Sequence, residues 1–152
     1  MSLESLYQEL ILEHSKRPHG KGLGEEVGRT ATSHQRNPIC GDEVTLRLRL
    51  SDDGETVREV TWEGSGCSIS QASASMLAAL IEEDGGEEGL PREQVTNLIE
   101  GFREALRSRG SIPLDEETFA DAAALSGVSK FSARVKCAML AWVALEDDLA
   151  RA

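Results

Sequence analysis

From Glu43 to Leu50 the chain alternates without a break: Val44, Leu46, Leu48 and Leu50 point one way, Glu43, Thr45, Arg47 and Arg49 the other. A period of two is the pleat of a β-strand with one face in a core and one in water. Asp52-Asp53-Gly54 makes a turn, and strand character resumes from Val57 to Glu63, so residues 43–63 read as an antiparallel hairpin. A weaker strand is expected over residues 27–34.

On both sides of this hairpin the period changes to that of a helix. Residues 3–15 place Leu3, Leu6, Tyr7, Leu10 and Ile11 on one face, and Pro18 with the glycines at 20, 22 and 24 ends that helix. After Gly64-Ser65-Gly66, a stripe of Ile69, Ala72, Met76, Leu77, Leu80 and Ile81 predicts a second helix, with alanine and serine between and a capping box at Ser68 and Gln71. The acidic, glycine-rich run 82–89 reads as a solvated loop. Pro91 and Arg92 open a helix to about Arg107 with Val95, Leu98, Ile99 and Phe102 inward. A short helix is expected from Glu116 to Leu125, a break at Gly127, and a last helix from Ser132 to about Ala150 that packs Val135, Met139, Trp142, Leu145 and Leu149. Strands bracketed by helices in this order predict an α+β domain, a small antiparallel sheet with helices packed on one face. At 152 residues the chain fits one domain without help from disulfides.

Twenty-seven acidic residues against sixteen basic give a net charge of −11, a field that repels nucleic acid and anionic lipid and favours a basic partner surface. The clearest basic clusters, Lys16-Arg17-Lys21 and Arg134-Lys136, are too small for a backbone-tracking groove. No apolar run is long enough to span a membrane, and residues 1–17 carry acids and lack an apolar block, which points to the cytoplasm.

Cys40, Cys67 and Cys137 are the only cysteines, an odd number that argues against a disulfide framework. Each sits at a junction. Cys40 lies in the turn-rich stretch Asn37-Pro38-Ile39-Cys40-Gly41-Asp42, where Gly41 lets the side chains of Cys40 and Asp42 converge. Cys67 follows Gly64-Ser65-Gly66 and directly precedes a helix, whose N-terminal dipole favours an anion. Cys137 stands one turn into the last helix beside Arg134 and Lys136. Three thiolates and a carboxylate suit tetrahedral zinc, yet there is no CxxC pair. On chemistry alone a metal or thiol role and a structural role as small buried hydrophobes stand level. His14 and His19 are expected at the surface, and His34 as a structural or surface residue. Trp62 and Trp142 are expected in the core or at an interface.

Asn37-Pro38-Ile39-Cys40-Gly41-Asp42, the stretch from Gly64 to Ser75 around Cys67, and Arg134-Val135-Lys136-Cys137-Ala138 together resemble the three cysteine motifs of the iron–sulfur assembly family known as IscU or NifU N-terminal domain. The likeness runs over nearly the whole chain, and it is strongest to the SufU branch. Lys136 stands where scaffold-type members carry a histidine, and the long stretch between Cys67 and Cys137 suggests a branch-specific inserted helical segment at about 90–113 within a single domain, 1–152. The resemblance implies an IscU/NifU-N-like fold and a zinc ion on Cys40, Asp42, Cys67 and Cys137. It implies Cys40 as the residue that receives persulfide sulfur, and Arg134 as a second catalytic residue. It further implies a pyridoxal-phosphate cysteine desulfurase as partner, with downstream iron–sulfur assembly machinery beyond it. Two other readings remain: a scaffold holding a labile [2Fe–2S] cluster, and a zinc-stabilised adaptor without enzymatic function.

Overall fold

In the computed structural model, which describes residues 3–38 and 41–152, the alternating segment is the second strand of a four-stranded antiparallel sheet. Strands β1 (Arg29–Arg36), β2 (Glu43–Leu50), β3 (Thr56–Ser65) and the two-residue β4 (Leu90–Pro91) lie side by side in chain order. The alternation is kept in space: Val44, Leu46, Leu48 and Leu50 are all buried, while their neighbours are half exposed. Register fixes the sheet, with Ala31 opposite Leu48 on one side of β2 and Leu48 opposite Val60 on the other.

Six further elements surround the sheet: α1 (Leu3–Lys16), α2 (Ser68–Gly85), α3 (Arg92–Arg107), the single turn α4 (Glu116–Phe119), a 3₁₀ helix over Ala120–Lys130, and α5 (Ser132–Arg151). α5 lies across β1 and β2, α2 lies across β3, and both pack on the same apolar face. Behind them, Phe102 of α3 stacks on Trp142 of α5 with ring centroids 3.9 Å apart, and Phe119 tilts against both. The outer edge of β3 is covered in two places. Near Val57 it pairs with β4; near Trp62 it bonds to Gly20 and Gly22 of the connection from α1. Gly20 (φ +73°) is required there, since a Cβ would come within 2.6 Å of the Ala78 Cβ. This is the expected α+β architecture with the sheet covered on one face by helices.

Several local expectations are corrected. α2 is not a helix with one apolar stripe. It is enclosed by α1, α5, β3 and the 3₁₀ helix, and Ser70, Ser73 and Ser75 are as buried as Met76 and Leu77. Small residues all round allow that close approach. α2 also continues through Glu82–Asp84, so the first half of the acidic run is its exposed last turn, stopped at Gly86. Its N-cap is Cys67, and the expected box at Ser68 is absent; Gln71 reaches back to the Gly66 carbonyl instead. The helix expected from Glu116 ends after four residues because Ala120 takes φ +49°, and the 3₁₀ helix then passes through Gly127 without a break. Leu6 and Leu12 of α1 are about half exposed, while Tyr7, Leu10 and Ile11 of that helix pack against the core; the Leu3 side chain lies outside the described residues. His14 is a clip rather than a surface residue: its Nδ1 lies 2.7 Å from the buried Ser75 hydroxyl and its Nε2 2.9 Å from Asp121. Among the described residues no helix is long and apolar enough to cross a membrane.

Candidate metal centre

Three chain junctions meet at one end of the sheet. The first is the connection from β1 to β2, closed by the Asn37 N–H donating to the Asp42 carbonyl at 2.8 Å and the Gly41 N–H donating to the Asn37 carbonyl at 2.8 Å. Gly41 takes φ +76°. Asp42, the last residue of this connection, is 4% exposed. Cys40, the sulfur acceptor and fourth ligand expected from sequence, lies outside the described residues.

The second junction leads from β3 into α2. Gly66 (φ +147°) turns the chain, and a Cβ on it would stand 2.5 Å from the Asp42 carboxyl. Glycine therefore meets two requirements at once: a positive φ, and the space through which the carboxylate reaches the start of α2. The Cys67 N–H donates to Asp42 Oδ1 at 3.1 Å, and the Cys67 thiol donates to Oδ2 at 3.1 Å. A side chain 25 residues upstream thus satisfies an N–H group at the helix start that a local cap would otherwise take.

The third junction is the start of α5. Cys137 lies in its second turn and is 2% exposed. The ligand atoms of Asp42, Cys67 and Cys137 lie within 4.8 Å of one another. A tetrahedral zinc with ordinary bond lengths sets its S and O donors about 3.5–3.8 Å apart, so small side-chain rotations separate this cluster from a ligand set. Two thiols and one buried carboxylate, brought together from three junctions, fit a borderline-soft cation. His34 does not join them; it is exposed, bonded through Nδ1 to Thr45 Oγ1 at 2.7 Å.

Arg134 and Lys136, neighbours in sequence, are on opposite flanks of α5, since two residues along a helix are about 200° apart. Arg134 lines a cleft of about 780 Å³ together with Cys67, Ile11, Val128 and the 64%-exposed Phe131. Tyr7 closes one side of it, donating to Glu116 at 2.8 Å, a bond that pushes the phenol pKa up. Lys136 faces a second groove, beside Asn37 and Pro38. Sequence reasoning missed both the Gly66 requirement and the cleft. The glycine left a signal in Gly64-Ser65-Gly66; the cleft left none, since its walls come from α1, α2, the 3₁₀ helix and α5. Trp62 and Trp142 are wholly buried core residues.

Asp42 and Cys67 from the sheet connections, with Cys137 from α5, make this an α+β domain with a candidate thiolate–carboxylate metal site. The chain belongs to the NifU-like N-terminal domain family, whose model matches residues 6–138. It is 37% identical over 150 residues to the zinc-dependent sulfurtransferase SufU of Bacillus subtilis, covering 99% of this chain and 93% of that one. It is 33% identical over 149 residues to the iron–sulfur cluster assembly scaffold protein IscU of Streptococcus pyogenes, covering 98% and 86%. A crystal structure of a hypothetical protein superposes with a TM-score of 0.81 at 32% identity, over 98% of this chain and 100% of that one.

Proposed function

We propose that this protein is a zinc-dependent sulfurtransferase that accepts persulfide sulfur from a pyridoxal-phosphate cysteine desulfurase and passes it toward iron–sulfur cluster assembly. The observation that carries the reading is the convergence of Asp42, Cys67 and Cys137 from three separate junctions. The identity to a sulfurtransferase so named supports it, as does Lys136 in place of a histidine that would add a cluster ligand. Cys40 is the proposed fourth ligand and the acceptor. Residues 90–113 are the proposed branch-specific segment, and the cytoplasm, where thiols stay reduced, is the compartment this chemistry needs.

When bound, zinc keeps its cysteine ligands deprotonated and guards them from oxidation. The chain's own residues do the rest. Asp42 and the Cys67 N–H orient the start of α2 toward the site. The Cys40 thiolate attacks the outer sulfur of the donor's persulfide; the donor's S–S bond breaks, a new one forms on Cys40, and the donor cysteine leaves as thiolate, with no net oxidation. Arg134, on the flank of α5 that faces Cys67, supplies positive charge to the anions in transit.

The test is anaerobic purification with metal and sulfide analysis, followed by persulfide transfer from a desulfurase. Wild type should carry about one zinc and become persulfidated; Cys40→Ser should lose essentially all transfer. Full transfer by that variant would remove Cys40 from its role. A stable [2Fe–2S] cluster in place of zinc would favour the scaffold reading, which the same donor set and the identity to scaffold proteins support.

A further inference from the structure

On the flank of α5 away from Cys67, a groove of about 750 Å³ runs between α3 and α5 toward the β1–β2 connection. Its floor is apolar, with Leu106, Val135 and Leu140. Its rim is basic: Arg36 from the end of β1, Arg107 from the end of α3, Arg109 from the turn that follows it, and Lys136 from α5. Among the described residues no aspartate or glutamate lines it, in a chain of net charge −11. A fifth cation, Arg103, is held by Glu146 through two hydrogen bonds of 2.6 and 2.9 Å. The other four are exposed, and none makes an ion pair or side-chain hydrogen bond among the described residues.

Like charges gathered around an apolar floor repel one another and leave that floor wet. An occupant with carboxylates about an apolar side chain relieves both costs. The position matters as much as the charge. Asn37 and Pro38 form one end of the groove and lead directly to Cys40, while Val135 and Lys136 adjoin Cys137.

We propose that this groove seats an acidic segment of the sulfur-donor protein, with an apolar side chain on the floor and its carboxylates on Arg36, Arg107, Arg109 and Lys136. The occupant's identity as donor rests on the sulfurtransferase reading. A protein held here stands beside the connection that carries Cys40, so docking and sulfur transfer use adjoining surfaces. The acids that dominate the rest of the chain repel a poly-phosphate ligand.

Two donors separate docking from chemistry. The desulfurase must dock; glutathione persulfide, whose outer sulfur is transferred with release of glutathione thiolate, need not. The variants are Arg107→Glu/Arg109→Glu at and just beyond the end of α3 and, on the other wall, Arg36→Glu. All three positions are exposed, and none is a proposed ligand or Arg134. Each variant should raise the KM for the desulfurase roughly tenfold or more, while zinc content and the rate with glutathione persulfide stay at wild-type values. Added salt should raise the wild-type KM and move the variants' KM much less. Unchanged desulfurase KM in both variants would overturn the proposal, as would equal loss with both donors. So would a wild-type dimer that the variants dissolve without altering transfer, since the occupant would then be a second copy. If wild type accepts no sulfur from either donor, the sulfurtransferase reading falls. Calorimetric titration of the desulfurase into wild type and variants still decides the groove: weaker binding by the variants supports it and equal binding ends it.

Discussion

Two aspartates are buried, one in the β1–β2 connection and one in α5, and they are treated differently. Asp42, at the β1–β2 connection, is 4% exposed and accepts from both the N–H and the thiol of Cys67. Asp148, in the last turns of α5, is wholly buried; Oδ1 meets Arg151 at 3.2 Å, while Oδ2 has no hydrogen-bond partner among the described residues. Burial pushes the Asp148 carboxyl up to about 7, with Asp147 beside it adding to the rise and Arg151 and Arg47 opposing it. A buried carboxylate is costly wherever it stands. At Asp42 the cost is offset by two donors, both on Cys67, one of them a thiol of the proposed site. At Asp148 one oxygen stays uncompensated, and the protein carries a penalty.

The comparison is most directly broken at Asp42. Asp42→Ala removes a proposed ligand and the acceptor for the Cys67 N–H together. Metal affinity, measured by chelator competition, should fall at least ~100-fold, since even an outer partner of a ligand is worth 10–100-fold. Zinc retention equal to wild type would reduce Asp42 to a cap for α2, and the two aspartates would then differ only in hydrogen bonding.

At Asp148 the expectation is opposite in sign. A carboxyl at about 7 in the folded protein, against an ordinary value of 3.8, keeps a proton that the unfolded chain has already released between those pH values. The stability it permits is full below about pH 4, falls as pH rises, and levels off above about pH 7, by at most roughly 4 kcal/mol. Asp148→Asn keeps the shape and removes the titration. In urea unfolding its gain over wild type should be larger at pH 8 than at pH 5 by about 2–3 kcal/mol. A gain independent of pH would show that Asp148 is ionised in the folded protein at both.

How far each region was legible follows from how local its signal was. β2 could be read because burial on one face imposes a strict period of two on adjacent residues. The cysteine junctions could be read because Gly41, Gly66 and a helix start mark them in the chain itself. The burial of Asp148 had a signal too: it lies three residues beyond Leu145 and one before Leu149, on the face of α5 that packs inward. The groove had none, because Arg36, Arg107 and Lys136 come from three distant elements. Arg134 and Lys136, which sequence groups as one patch, are separated by the helical turn. α2 misled in a different way, since its serines read as the polar side of a stripe until four packed neighbours enclosed them.

Ser73 of that helix shows what satisfying a buried polar group is worth. Its hydroxyl donates to the Ala138 carbonyl at 2.6 Å and accepts from the Trp142 indole N–H at 3.0 Å, with no exposure to solvent. Ser73→Ala leaves the indole N–H without that acceptor in a core where Trp142 is stacked on Phe102 and cannot turn away. The result is a second buried orphan, made on purpose and uncharged. The loss should be about 1–2 kcal/mol in urea unfolding, the ordinary cost of an unpaired neutral donor. It should be the same at pH 5 and pH 8, in contrast to Asp148→Asn. A loss that grew with pH would mean that Asp148 and the Ser73 region respond as one unit along α5.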